Sequence, residues 1–194
     1  MGVGSVNSSP FWPMQEGINE IIATVGLHAA PIGVICRDNR IMMAVFRTSH
    51  TASLIEESGL VVANIMHDPV FFVRAAFSDL SPEEFIEMNV AGRPVYRISS
   101  SLSWVVYRAT IDQKTEQKLL ISLEPIETKL AQSDLVPINR GRNSIIEAAV
   151  HGTRYILTRD PVLKQMIDHH VSLVKRCGGK RDLEALCLLE KFIA

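Results

Sequence analysis

Residues 46–51 read Phe-Arg-Thr-Ser-His-Thr, which puts one guanidinium, one imidazole and three hydroxyls into six positions. They lie between an apolar run, IMMAVF (41–46), with the texture of a strand and a segment, 49–59, that reads as a short helix. Hydroxyls mark the start of that helix and Gly59 marks its end. A helix start of this kind presents backbone N–H groups that have no intrahelical acceptor, together with the positive end of the helix dipole. Arg47 adds a planar cationic fork that matches phosphate oxygens. Arg47, Thr48, Ser49 and Thr51 are therefore candidates to hold a phosphate monoester. Taken alone, the stretch has a simpler reading, an N-cap beside a solvated arginine, because hydroxyl caps are routine.

Other candidate chemistry is sparser. Asn139-Arg140-Gly141-Arg142-Asn143 is a second arginine-bearing turn, followed by Ser144-Ile145-Ile146-Glu147, a capping box. It reads either as a structural turn with exposed arginines or as a second anion-binding turn. His151 and Arg154 share one face of the helix that follows, at i and i+3; they are candidates to reach a ligand, and packing of that helix on the rest of the fold explains them as well. Asp168-His169-His170 has metal-ligating residue types, but adjacent helical positions diverge and no HExxH or i,i+4 histidine pair occurs, so no metal is expected. Gly178-Gly179-Lys180 lacks the frame of a phosphate loop and reads as a helix stop. Cys36, Cys177 and Cys187 have no CxxC spacing, which speaks against a disulfide framework or zinc cluster. No GxSxG or other nucleophile arrangement occurs, so the catalytic residues are unknown.

The elements that must position these residues follow from periodicity. EIIATVG (20–26), AAPIGVICR (29–37) and IMMAVF form an antiparallel meander, with a tight turn at Asp38-Asn39-Arg40. LVVANIM (60–66) is a fourth strand, PVFFVRAAF a short helix, and Ser81-Pro82-Glu83-Glu84 a capping box with proline at the first helical position. SWVVYRATIDQ (103–113) and KLLISLEPIETK (118–129) alternate like half-buried strands. After Pro137 the pattern is helical. Asp160-Pro161 opens a helix with Leu163, Met166, Ile167, His170, Val171 and Val174 on one stripe, Gly178-Gly179 stops it, and a last helix runs from about Asp182 to Phe192. The chain is thus divided into an N-terminal arm (1–17), where Phe11 and Trp12 can tack it onto a surface, a barrel or sandwich of about six antiparallel strands (18–136), and a C-terminal helical subdomain (137–194). Apolar residues make up 47% and charged residues 21%, with formal net charge −1. That profile lacks a basic field for nucleic acid. With neither a signal-peptide pattern nor a run of about 18 apolar residues, the expectation is a soluble cytoplasmic protein with no membrane partner.

The run AAPIGV…IMMAVFRTSHTASLIEESGLVVANIM resembles the flavin-reductase-like, FMN-binding split-barrel proteins. In that group a proline-bearing strand, a second strand, a hydroxyl-rich phosphate loop, a short helix ending in Ser-Gly and a strand ending in Val-Asn or similar follow one another. Here these features fall on Pro31, Arg47 to Thr51, Ser58-Gly59 and Asn64. Within the group, EIIATVG…AAPIGV and the later NRGRNSIIEAAVHGTR (139–154) are similar to the domain of unknown function 447 family, over roughly residues 18–160. The resemblance implies a mainly β plus α protein: an antiparallel FMN-binding split β-barrel with a C-terminal helical subdomain, forming a homodimer with FMN near the subunit interface. It also implies that Arg47, Thr48, Ser49 and Thr51 hold the FMN phosphate, that backbone around Ala30, Pro31, Ile32 and Gly33 lines the isoalloxazine, and that Asn64 sits near the flavin or its ribityl chain. Pro31 removes a ladder donor and Gly33 a side chain, which suits a flat ring against the backbone; an edge strand with a bulge uses the same residues. The function implied is an FMN-dependent oxidoreductase acting on an unidentified small-molecule redox substrate. One alternative is a non-catalytic module binding FMN or another phosphorylated ligand, and another is a structural dimer whose junction is only a helix cap.

Overall fold

Alternating apolar residues build the first ladder of the computed structural model, which describes residues 11, 13–66, 68–101, 103–131 and 137–194. Strand β1 (Gly17–Val25) pairs with β2 (His28–Arg37) over its whole length, from Gly17↔Cys36 to Val25↔His28. Strand β3 (Arg40–Phe46) follows through a two-residue turn in which Asp38 and Asn39 take φ of 50° and 56°. Two left-handed residues give the turn twist that hairpins favour, and Asp and Asn adopt them at low cost. Next come α1 (His50–Ser58), β4 (Leu60–Ile65), α2 (Pro69–Phe77), a single 3-10 turn at Pro82–Glu84, β5 (Phe85–Val90), β6 (Arg93–Ile98), β7 (Ser103–Lys114), β8 (Lys118–Lys129) and β9 (Ile138–Asn139). Helices α3 (Arg140–Thr158), α4 (Pro161–Cys177) and α5 (Lys180–Ile193) end the chain.

The hydrogen-bonded order β2-β3-β8-β7-β4-β1 returns to β2 through the β1–β2 ladder, so six antiparallel strands close a barrel, and β9 adds a short strand beside β1. The period of two decides what fills the barrel: Ile21, Ala23 and Val25, Val34 and Cys36, Met43 and Val45, Val61, Ala63 and Ile65, with Val105, Tyr107, Leu119, Ile121 and Leu123 opposite. Phe11 and Met14 join this core, so the end of the arm enters the barrel instead of tacking onto its surface. Trp12 lies outside the described residues.

The apolar periodicity marks no element between Glu84 and Ser103, yet β5 and β6 form a hairpin there. Its turn, Ala91-Gly92, has φ of 52° and 78°. Ala-Gly lacks the Asn-Gly or Asp-Gly composition that flags such turns. The hairpin covers the outer face of the barrel, where Val90 and Val95 pack on Leu60, Val62, Trp104 and Val106.

Helix α3 begins at Arg140, five residues earlier than a cap at Ser144 predicts, because Asn139 is the cap and its side chain accepts from Arg142 N at 3.1 Å. Ser144 is buried within the helix. The α4–α5 turn is pressed against this start: a Cβ on Gly141 would overlap the backbone of Gly178 and lie 2.7 Å from Cys177 C. Gly17, at φ +110°, has Asn139 Nδ2 and the Cys177 carbonyl where a side chain would stand. The helices therefore dock at the Gly17–Cys36 end of the β1–β2 ladder, with Ile145, Val174 and Leu186 as their own core. Helix α5 starts at Lys180, two residues before Asp182, which accepts from Gly179 N at 2.9 Å. No described helix is long and apolar enough to cross a membrane.

Candidate functional site

Among the described residues, β2 and β3 stay paired only between Val34–Arg37 and Arg40–Met43. Beyond Met43, β3 follows β8, while residues 28–33 of β2 follow β1 alone. The barrel opens along this seam, leaving one edge of β2 without a ladder partner. A cleft of about 260 Å3 fills the opening, lined by Ala30, Pro31, Ile32 and Gly33 on one side and Ala44, Val45 and Phe46 on the other, and closed at one end by Ser49 and Thr51. Phe46 is 64% exposed at this cleft.

Ser49 and Thr51 arrive there because α1 starts directly after β3. Ser49 Oγ accepts from Ala52 N at 3.1 Å and donates to Phe46 O at 2.7 Å, which makes it the N-cap. The N–H groups of His50 and Thr51 precede the first intrahelical acceptor, so the dipole end of α1 borders the cleft. Gly59, at φ 63°, ends the helix as the sequence predicts. Thr51 is 4% exposed, and its Oγ1 lies 2.9 Å from His28 Nε2. Arg47 and Thr48 are exposed, beside the cleft lining and not part of it; the loop that carries them is pinned by Arg47 N donating to Gln117 O at 2.9 Å.

The structure thus brings together Ala30, Pro31, Ile32, Gly33, Ser49 and Thr51, with Arg47 and Thr48 on the adjoining loop. Asn64 is placed elsewhere. Fully buried, it donates to Ile22 O at 2.9 Å and Thr24 Oγ1 at 3.1 Å and accepts from Ile98 N at 2.8 Å, while Thr24 donates to Tyr96 O. It ties the β5–β6 hairpin to the barrel. Gly33 borders the cleft, but a Cβ there would meet Ile18 Cγ2 at 2.6 Å, so close packing on β1 is sufficient reason for the glycine. Ala44, Val45 and Phe46, which line the cleft, are missed by the sequence reading, and so is His28, which stands behind Thr51. His28 was within reach: period two puts it on the same strand face as Ala30 and Ile32.

The second arginine-bearing turn is occupied by the protein itself. Asn139 is the helix cap, Gly141 is packed on Gly178, and Arg140 Nε lies 2.6 Å from Glu20 Oε1. His151 stacks on His170 of α4, ring centroids 5.6 Å apart. Burial pushes His170 below the usual histidine range, and His151 and His169 beside it add to that shift. Burial also pushes the Cys36 thiol up to about 12, which keeps it protonated and unreactive.

Two family models cover most of the chain: the N-terminal domain of protein of unknown function 447 matches residues 19–132 and its C-terminal counterpart matches residues 139–191. The FMN-bound protein MM1853 from Methanosarcina mazei, of the same family, is 34% identical and covers 92% of this chain and 96% of its own, with TM-score 0.59. A flavin reductase domain protein from Arthrobacter sp. FB24 is 11% identical over 61% of this chain and 80% of its own, TM-score 0.49. The styrene monooxygenase flavin reductase from Pseudomonas putida S12 is 10% identical over 60% and 81%, TM-score 0.47. With a six-stranded barrel opened between β2 and β3 and followed by three helices, the chain belongs to the domain of unknown function 447 family.

Proposed function

We propose that this chain is an FMN-binding flavoprotein and an oxidoreductase, with the flavin seated in the β2–β3 opening and its phosphate at the start of α1. The observation that carries the reading is that an unpaired strand edge and a helix N-terminus border one cleft. These parts fit the cofactor. Backbone groups of Ala30–Gly33 suit the hydrogen-bonding rim of a flat ring, Ile32, Val45 and Phe46 suit its apolar faces, and the α1 start suits a dianion. Arg47, Thr48, Ser49 and Thr51 would hold the phosphate, and Asn64 acts at a distance by fixing the hairpin. The FMN-bound relative, similar over nearly its whole length, supports this assignment.

A cleft of about 260 Å3 is smaller than the roughly 300–1,000 Å3 of ordinary small-molecule sites. A second copy of the chain, covering the exposed Phe46, would enclose the rest of the ligand, so the working form in this reading is a homodimer. When bound, FMN supplies hydride or electron transfer. The residues named here bind and orient it, and the apolar walls exclude water. The cytoplasm is the compartment assigned, since Cys36, Cys177 and Cys187 are all free thiols. None of the lining side chains titrates near neutrality, and that favours one second reading, a module that binds FMN without turnover.

The test is the visible spectrum of the purified protein during titration with FMN, followed by addition of reduced nicotinamide. Flavin bands that stay with the protein through desalting and bleach on reduction are expected. A protein that takes up no FMN overturns the proposal, and one that holds FMN but turns over no donor favours the second reading.

A further inference from the structure

Behind the proposed phosphate contacts lies a titratable group that none of them uses. The His28 side chain is 18% exposed. Its Nε2 lies 2.9 Å from Thr51 Oγ1, and its buried Nδ1 has no hydrogen-bond partner and stands 4.0 Å from Asp79 Oδ1. The ring of His50 faces it, centroids 4.7 Å apart at 48°. Among the described residues, the charged and titratable groups around His28 are therefore His50 from α1 and Asp79 from the segment after α2.

Three proton arrangements are open to the His28–Thr51 pair. With the proton on Nδ1, Nε2 accepts the Thr51 hydroxyl proton, and Thr51 has no proton left for the cleft. A proton on Nε2 alone frees the Thr51 hydroxyl but leaves a buried Nδ1 lone pair facing the Asp79 carboxylate. The imidazolium suits both sides: Nε2–H donates to Thr51 Oγ1, the positive charge is attracted by Asp79 Oδ1 4.0 Å from Nδ1, and the Thr51 O–H is free to donate into the cleft. In the free protein, burial pushes His28 below the usual histidine range and His50 pushes it further, while Asp79 opposes them. The first arrangement therefore holds near neutrality. A phosphate dianion at the start of α1 favours the third, because it adds negative charge beside the ring and accepts from Thr51.

We infer that His28 is a positioning residue whose protonation turns the Thr51 hydroxyl from His28 toward a bound phosphate, so that binding of a phosphorylated flavin takes up a proton at His28. This rests on the FMN reading above. Affinity is then greatest below the free-protein pKa of His28 and falls as pH rises through the higher pKa of the complex. Each unit between the two values is worth about tenfold.

The experiment measures Kd for FMN, and for riboflavin as the same ring without phosphate, from about pH 5.5 to 8.5, in the native protein and in His28→Gln. Glutamine keeps an N–H for Thr51 but cannot titrate. The phosphate's own protonation near pH 6 is common to both proteins and cancels in their ratio. Relative to the variant, the native protein is expected to lose about tenfold in FMN affinity across this range, with riboflavin flat in both. Calorimetry of FMN binding to the native protein, in two buffers of different ionisation enthalpy, is expected to show net proton uptake near neutrality. Selection of the phosphate dianion alone would release protons, so this readout decides the matter even if the variant does not fold. No uptake, or a pH profile shared with His28→Gln, overturns the coupling and leaves FMN binding standing. A riboflavin profile like that of FMN moves the proton to the ring and also overturns it. Failure to bind FMN removes both proposals.

Discussion

The starts of α1 and α3 carry the same parts: an arginine, a strand leading in, and a side-chain cap at 3.1 Å from a backbone N–H of the first turn. Their surroundings differ. In front of α1 the barrel seam is open, so the first-turn N–H groups border a cleft and Arg47 stands exposed beside it. In front of α3 lies the α4–α5 turn, with Gly178 against Gly141, and Arg140 is already paired with Glu20. Residue types give a helix start its affinity for anions, but the space left in front of it decides whether a ligand can use that affinity.

Gly141→Ala tests the closed side of this comparison and carries the largest expected effect. Its Cβ would run into backbone that cannot rotate away, so the expected loss of stability is about 3 kcal/mol or more, read from denaturant midpoints. A variant as stable as the native protein would mean that the α3 start is less tightly plugged than described. Next in size is a paired measurement on the two arginines. Arg47→Ala is expected to weaken FMN binding by roughly 1.5–3 kcal/mol, the worth of charge-assisted hydrogen bonds. Arg140→Ala should leave FMN affinity unchanged and cost at most about 1 kcal/mol of stability, since its ion pair is partly exposed. Equal effects of the two on affinity would erase the distinction between the helix starts. Smallest is Ser49→Ala, at about 1 kcal/mol of stability for a lost cap. Its hydroxyl is already engaged by Phe46 O and Ala52 N, so FMN affinity should fall less than in Arg47→Ala.

Six barrel strands were legible, four as short apolar runs bounded by turn or helix signals and the last two by alternation of apolar and polar residues, and the Asp38-Asn39 turn because those residues tolerate a left-handed backbone. The β5–β6 hairpin was not, since an Ala-Gly turn and a strand containing Pro94 carry weak signals. Of the candidate site, Ala30–Gly33 and the Arg47–Thr51 loop could be named by resemblance to a family. That Gly33 makes room for Ile18, that Asn64 latches a hairpin, and that Gly141 meets Gly178 are facts about partners distant in the chain. Local pattern cannot supply such pairings.

The pairing of β3 with β8 has a kinetic consequence. Hairpin β2–β3 is local and can form early, but Met42 meets Ser122, about eighty residues further along, and ladders of such separation form slowly. The loop holding Arg47 is fastened to Gln117, in the β7–β8 turn. During synthesis the proposed phosphate loop is therefore complete in sequence long before it has a shape. A fragment ending before β8 would contain every residue proposed here to touch FMN, yet would lack the strand that splays β3 from β2 and so holds the seam open.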